Sequence, residues 1–157
     1  MSVAEQFVNR LIELDYQVSC AESCTGGKLT GAIVDVANAS KVLNASIVTY
    51  SNEAKKHYLH VSDDTLSKYG AVSEQTAYEM AEGIAKANHA NIGLSITGTA
   101  GPDGGTKEKP VGTVCFGFSI NGKVSTKKKQ FGNLGRNQVR DASVEYALSH
   151  ALELLDK

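Results

Sequence analysis

The run Glu22-Ser23-Cys24-Thr25-Gly26-Gly27 sets a carboxylate, two hydroxyls and a thiol beside two glycines. Serine serves as a nucleophile in acyl transfer when a base takes its proton and N–H groups receive the oxyanion that forms. If a helix begins just after this run, its first N–H groups have no intrahelical acceptor and can hold an anion or such an oxyanion. Glu22, Thr25, Gly26 and Gly27 would then lie against a substrate. The same residues equally suit a local structural role, with Ser23 or Thr25 capping the helix and the glycines permitting a tight turn. Gly26-Gly27-Lys28 is not a P-loop, because Glu22 stands where the leading glycine belongs and Leu29 where Ser or Thr belongs. Ser23 also lacks the flanking glycines of a G-x-S-x-G elbow and has no lysine three residues on.

A serine nucleophile needs a base. His57, His60, His89 and His150 all fall in polar helical contexts and read as solvent-facing. His57 and His60 share a helix face, but no acidic pattern nearby completes a metal site, so neither a metal nor another cofactor is expected. Lys55 can act as a base only if burial or neighbouring positive charge lowers its pKa; its sequence context alone reads as a surface helix lysine. The segment from Gly98 to Gly112 is rich in glycine and holds both prolines. Loops of that length in a compact domain are uncommon, and this one would let a ligand approach the backbone closely. Lys107, Lys109 and Arg136 could balance a phosphate; a flexible turn with solvated charges has the same composition.

These residues must be brought together by secondary structure. Ala4, Phe7, Val8, Leu11 and Ile12 recur at helical spacing, and Tyr16, Val18 and Cys20 then alternate as in a strand. Leu29, Ala32, Ile33 and Val36 restore the helical period beyond the Ser23 run. A second strand is expected over Ala45 to Tyr50, then a short polar helix over Asn52 to His60. Ser73 is an N-cap candidate for a helix with Ala77, Met80, Ala81 and Ile84 on its apolar face. A third strand spans Asn91 to Thr97. After the long loop, Val114, Phe116, Phe118 and Ile120 alternate, Asn121-Gly122 suits a type I′ turn, and Val124 to Phe131 returns as a strand. Lys127-Lys128-Lys129 invites a phosphate-binding reading, but lysines that protect an edge strand explain it better. A last helix carries Val144, Ala147, Leu148, Ala151, Leu152 and Leu155.

This order implies a single-domain layered α/β sandwich over 1–157, with a mixed, mainly parallel sheet closed by a C-terminal hairpin and helix. If the first three strands are parallel, their carboxyl ends share one sheet edge, where open α/β sheets place ligands. The hairpin returns to that edge and delivers Gly132 to Arg136.

Composition narrows the partners. The 157 residues are 41% hydrophobic, enough for one sizeable core. A formal charge of −1 offers no global attraction to nucleic acid or an anionic membrane. No apolar run approaches the roughly 20 residues of a spanning helix, and the N-terminus lacks the pattern of a secretory signal. Three cysteines at unmatched spacings fit neither a disulfide framework nor a zinc ribbon, and a reducing cytoplasm suits them. Self-association into a homo-oligomer is left open.

Four ordered motifs carry a resemblance: Ala21 to Gly27, Val48-Thr49-Tyr50-Ser51-Asn52-Glu53-Ala54-Lys55, Gly70-Ala71-Val72-Ser73, and Ala100-Gly101-Pro102-Asp103-Gly104-Gly105 continuing through Glu108 to Val114. From about Val18 to the last helix the chain resembles the C-terminal domain of the competence/damage-inducible CinA proteins and their stand-alone relatives. The resemblance implies an α/β sandwich and, in active members, hydrolysis of nicotinamide mononucleotide to nicotinate mononucleotide and ammonia. It maps functional positions onto Ser23, Ser40, Tyr50, Lys55, Thr97 and Arg136. Ser23 is then the nucleophile, Lys55 its base, Tyr50 a relay or orienting group, and Ser40 a rival nucleophile. Thr97 and the backbone around Gly101, Gly104 and Gly105 would hold the carboxamide or ribose. Arg136 and helix-terminal amides would meet the phosphate. Relatives often carry Gly-Ser-Ser where this chain has Asn38-Ala39-Ser40, and Gly-Ile-Ala-Gly-Pro where it has Gly98 to Pro102; neither change removes a mapped group. Larger relatives add an N-terminal molybdopterin-binding-like domain with a separate activity, which is not expected here. A nucleotide-binding module without catalysis is the competing reading.

Overall fold

Ser2 starts the first helix with a capping box: its hydroxyl accepts from the Glu5 amide at 3.1 Å and the Glu5 carboxylate accepts from the Ser2 amide at 2.6 Å. In the computed structural model, which describes residues 1–157, α1 (Val3–Leu14) buries Phe7, Val8 and Leu11. Asp15 ends it in the left-handed region, so β1 (Val18–Glu22) begins two residues later than the alternation at Tyr16 suggests. Then follow α2 (Lys28–Val34), a 3-10 turn (Ala39–Lys41), β2 (Leu43–Val48), α3 (Asn52–Leu59), α4 (Asp63–Tyr69), α5 (Glu74–Asn88), β3 (Ile92–Gly98), β4 (Thr113–Ile120), β5 (Lys123–Gln130) and α6 (Arg136–Leu155).

Strand β2 lies two residues earlier than expected, and two helices depart further from the sequence reading. α4 has no apolar period to reveal it; Ser62 caps it by accepting from the Thr65 amide, and no residue of the helix is buried. α6 begins at Arg136, well before its first apolar repeat at Val144, so Arg136 lies in a helix rather than in the connection.

The sheet order is β2-β1-β3-β4-β5. β1 pairs parallel with β2 and β3, while β4 runs antiparallel to both β3 and β5. Four of the five strands therefore point the same way. The hairpin turn has both residues at positive φ, Asn121 at 49° and Gly122 at 85°, as a type I′ turn demands. The β5 edge carries exposed Lys123, Lys127, Lys128 and Lys129, which discourage pairing with another chain.

The two faces differ in texture. One bears Val18, Cys20, Ile92, Leu94, Ile96, Phe116 and Phe118, which pack into a single core with residues of α1, α2 and α6, such as Phe7, Leu29 and Leu148. The other is lined by small residues so that α5 can lie almost on the strands. A Cβ on Gly117 would fall 2.2 Å from the Ala77 carbonyl oxygen, and one on Gly93 2.4 Å from that of Ala81. Ser95 donates to the Ala77 carbonyl at 2.6 Å, tying helix to sheet.

Candidate active site

Because β1, β2, β3 and β5 share a direction, their carboxyl ends gather Ser23, Thr49 to Ser51, Gly98 and the approach to Arg136 on one edge. Ser23 follows β1 and is pinned to the neighbouring strand by its amide, which donates to the Ile96 carbonyl at 3.0 Å. Here lies a cavity of about 250 Å³ lined by Ser23, Cys24, Tyr50, Lys55, Thr97 and Arg136, among others.

Lys55 is the departure with the largest chemical consequence. It is not a surface lysine: only 1% of it is exposed. Ser51 caps α3 through the Ala54 amide, and the helix's first turn then sends the Lys55 side chain inward. Its Nζ lies 3.1 Å from Ser23 Oγ and donates to the Thr49 carbonyl at 2.8 Å. Burial disfavours the ammonium and brings its pKa down to about 8, against a small opposing effect of Cys24. Ser23 is 8% exposed, so the pair sits at the cavity floor. Next to it, burial pushes the Cys24 thiol up to about 11, which keeps it protonated.

Glu22 has a structural role. It is fully buried and accepts from the Thr25 hydroxyl at 2.6 Å, from the amides of Gly27, Leu29 and Thr30 at 3.1, 2.9 and 2.9 Å, and from the Thr30 hydroxyl. The amides at the start of α2 are thus occupied by the protein's own carboxylate and do not hold a substrate anion, contrary to the sequence reading. Thr25 is fully buried with its hydroxyl committed to Glu22, and Gly26 and Gly27 provide positive φ for the turn. None of these four lines the cavity.

At the mouth, Arg136 donates from Nη1 to the Gly101 carbonyl at 2.7 Å and from Nη2 to the Tyr50 hydroxyl at 3.0 Å. Tyr50 is 61% exposed, and its hydroxyl meets Arg136 rather than Ser23 or Lys55. The Thr97 hydroxyl donates to the Ala71 carbonyl at 2.9 Å and anchors the segment that forms the opposite wall. Gly101 has φ of 90° and lines the cavity. Gly104 and Gly105 are not part of its lining, and Gly105 lets the loop fold onto Val111. Lys109 also lies outside; its ammonium donates to the Tyr69 carbonyl at the end of α4 and tethers the loop. Ser40, exposed in the 3-10 turn before β2, is separated from Ser23 by the length of that strand, because β2 and β1 run parallel.

His57, His60 and His89 are exposed, whereas His150 is partly covered by the rings of Phe118 and Tyr146. No group of three or more His, Cys, Asp or Glu side chains is placed to share a metal ion. Sequence reasoning missed Arg140, which donates to the Cys24 carbonyl at 2.9 Å and the Thr25 carbonyl at 3.0 Å. The signal was its place four residues after Arg136, one helical turn along the same face. It also missed Asn52 and Asp103, both cavity-lining.

The family model described as "CinA C-terminal domain" matches residues 1–155. The chain belongs to the CinA C-terminal domain family. Among similar CinA proteins is a CinA-like protein of Kosmotoga olearia, 54% identical over 147 residues, covering 94% of this chain and 35% of that protein. The chain therefore spans about a third of the length of the curated CinA relatives it matches first. A nicotinamide-nucleotide amidohydrolase PncC of Enterobacter agglomerans is 51% identical over 136 residues, covering 86% of this chain and 82% of its own. The solved structure of the competence/damage inducible protein CihA from Agrobacterium tumefaciens has a TM-score of 0.92 at 41% identity, covering 100% of this chain and 98% of its own. A CinA superfamily protein from Klebsiella pneumoniae has a TM-score of 0.94 at 34% identity, covering 98% and 96%. No helix of this CinA domain is long and apolar enough to cross a membrane.

Proposed function

We propose that this protein is a nicotinamide-nucleotide amidohydrolase that converts nicotinamide mononucleotide to nicotinate mononucleotide and ammonia. The observation that carries the reading is the buried contact of 3.1 Å between Ser23 Oγ and Lys55 Nζ. Its 51% identity to the PncC relative, over 86% of this chain, supports it. A pKa of about 8 leaves about a tenth of Lys55 neutral at pH 7, against on the order of one part in three thousand for an ordinary lysine.

The neutral amine takes the Ser23 hydroxyl proton as Oγ attacks the carboxamide carbon. When the tetrahedral intermediate collapses, the C–N bond breaks, Lys55 returns the proton to the departing nitrogen, and ammonia leaves an ester on Ser23. Water then attacks the ester carbon with Lys55 again accepting the proton, which returns to Oγ as the acid is released. Arg136 meets the phosphate at the mouth, held in place by Gly101 and Tyr50. No step calls for a metal. The three free thiols suit a cytoplasmic protein.

Ammonia release from purified protein with nicotinamide mononucleotide, with and without EDTA, tests the reading. Turnover that survives the chelator is expected. Binding without ammonia release would favour a non-catalytic nucleotide module, and turnover lost on chelation and restored by one metal would sink the serine mechanism.

A further inference from the structure

The start of α2 cannot stabilise an oxyanion, because Glu22 occupies its amides. The turn before it is different. Three successive carbonyls are held: Ser23 by the Gly26 amide at 3.0 Å, Cys24 by Arg140 Nε at 2.9 Å, and Thr25 by Arg140 Nη2 and the Lys28 amide, both at 3.0 Å. A trans peptide points its N–H opposite to its C=O, so holding these carbonyls also fixes the directions of the Cys24, Thr25 and Gly26 amides. Gly26 spends its amide on Ser23, whereas those of Cys24 and Thr25 donate to no backbone carbonyl and to no side chain of another residue. Buried N–H groups are almost always paired, and successive unpaired ones in a turn form an anion-binding concavity. Cys24 lines the cavity, and its amide is one peptide bond from the residue whose Oγ contacts Lys55.

We propose that the Cys24 amide is the donor that meets the oxyanion formed at Ser23, and that Arg140 is the positioning residue that holds the turn so that this amide stays unspent. The inference rests on the amidohydrolase reading. Arg140 is built for this role, since its planar fork reaches two adjacent carbonyls and its Nη1 is braced by Asn137 Oδ1 at 2.9 Å.

The test compares two ligands on wild type, Arg140→Ala and Arg140→Lys. One is the product, nicotinate mononucleotide. The other is the mononucleotide bearing a 3-aldehyde in place of the carboxamide. Ser23 Oγ adds to the aldehyde carbon, the hydroxyl proton passes to Lys55, and the former carbonyl oxygen becomes an alkoxide in the position of the reaction's oxyanion. In Arg140→Ala, kcat should fall about 100-fold, the size of one lost oxyanion donor. Affinity for the aldehyde should fall by a similar factor, while product affinity stays within about twofold. Arg140→Lys, able to reach one carbonyl at a time, should recover part of both losses, and it carries the comparison if the alanine variant does not fold. Lys28→Ala breaks the Lys28–Asp141 ion pair between α2 and α6 (2.9 Å), and as a control for loosened packing it should leave the ratio of the two affinities unchanged. Aldehyde and product affinities that fall together in the Arg140 variants, or neither falling, would overturn the proposal. A wild type that binds both ligands yet releases no ammonia from the amide would instead defeat the amidohydrolase reading beneath it.

Discussion

Lys55 carries its charge where water cannot solvate it, and two consequences follow at the scale of the single residue. With Lys55 as the base of the proposed reaction, turnover should rise about tenfold per pH unit below pH 8 and level off above it, because only a neutral amine can accept a proton. A kcat/KM profile checks this; a flat profile from pH 6 to 9 would exclude Lys55 as the base. Ser23→Ala should lower turnover by at least about 10³-fold in a folded protein. Lys55→Arg should be as inactive although it keeps the charge, since a guanidinium does not deprotonate. Stability follows from the same burial and moves in the same direction with pH. The folded-state value, about 8, lies below the ordinary 10.5, so the unfolded chain binds this proton more tightly. The penalty is fully present below about pH 8 and disappears as pH rises towards 10.5. Urea unfolding should therefore show wild type gaining stability from pH 8 to 10 relative to Lys55→Met.

Two devices operate at the scale of the element. Glu22 ties the end of β1 to the start of α2 by accepting from five donors, and no other side chain caps that helix. Glu22→Gln puts an NH₂ group against donors that need an acceptor, and should cost about 3 kcal/mol. Urea denaturation checks this; a loss under about 1 kcal/mol would mean that the turn satisfies its amides in another way. α5 depends on the absence of side chains beneath it. Gly117→Ala would drive a Cβ into the Ala77 carbonyl and the Ser95 hydroxyl, neither of which is the far end of a flexible side chain. About 3 kcal/mol of destabilisation is expected from calorimetry or urea, without selective loss of ligand affinity in the protein that remains folded.

At the scale of the whole molecule, strand direction decides which residues meet. The parallel arrangement of β1, β2 and β3 places Ser23, Tyr50 and Thr97 on one edge and sends Ser40 to the other. Ser40→Ala should leave turnover within about twofold of wild type; loss of activity comparable to Ser23→Ala would return the nucleophile to Ser40. The β5 hairpin and α6 bring Arg136 to the same mouth from the far end of the chain. If Arg136 meets the phosphate, Arg136→Ala should weaken binding of the mononucleotide by about 1.5–3 kcal/mol and that of the riboside little, as titration of each ligand would show.

Periodicity and turn chemistry were enough to read most elements, the Asn121-Gly122 hairpin and the lysine-protected edge, since each is a local pattern written in neighbouring residues. The motifs around Ser23, Tyr50 and Gly101 were enough for family membership. What each polar group does depends on how the chain is packed around it, whether its partners are near or far in sequence. Glu22 and Ser23 are adjacent, yet one faces the start of α2 and is consumed by it while the other faces the cavity. Lys55 looks like any helix lysine until packing sets its Nζ against Ser23 and the Thr49 carbonyl, and burial lowers its pKa. Arg140 lies 116 residues from the carbonyl it grips. Burial and hydrogen-bond geometry are properties of the packed chain, so only the tertiary structure decided which carboxylate caps, which lysine has its pKa lowered and which amides remain free.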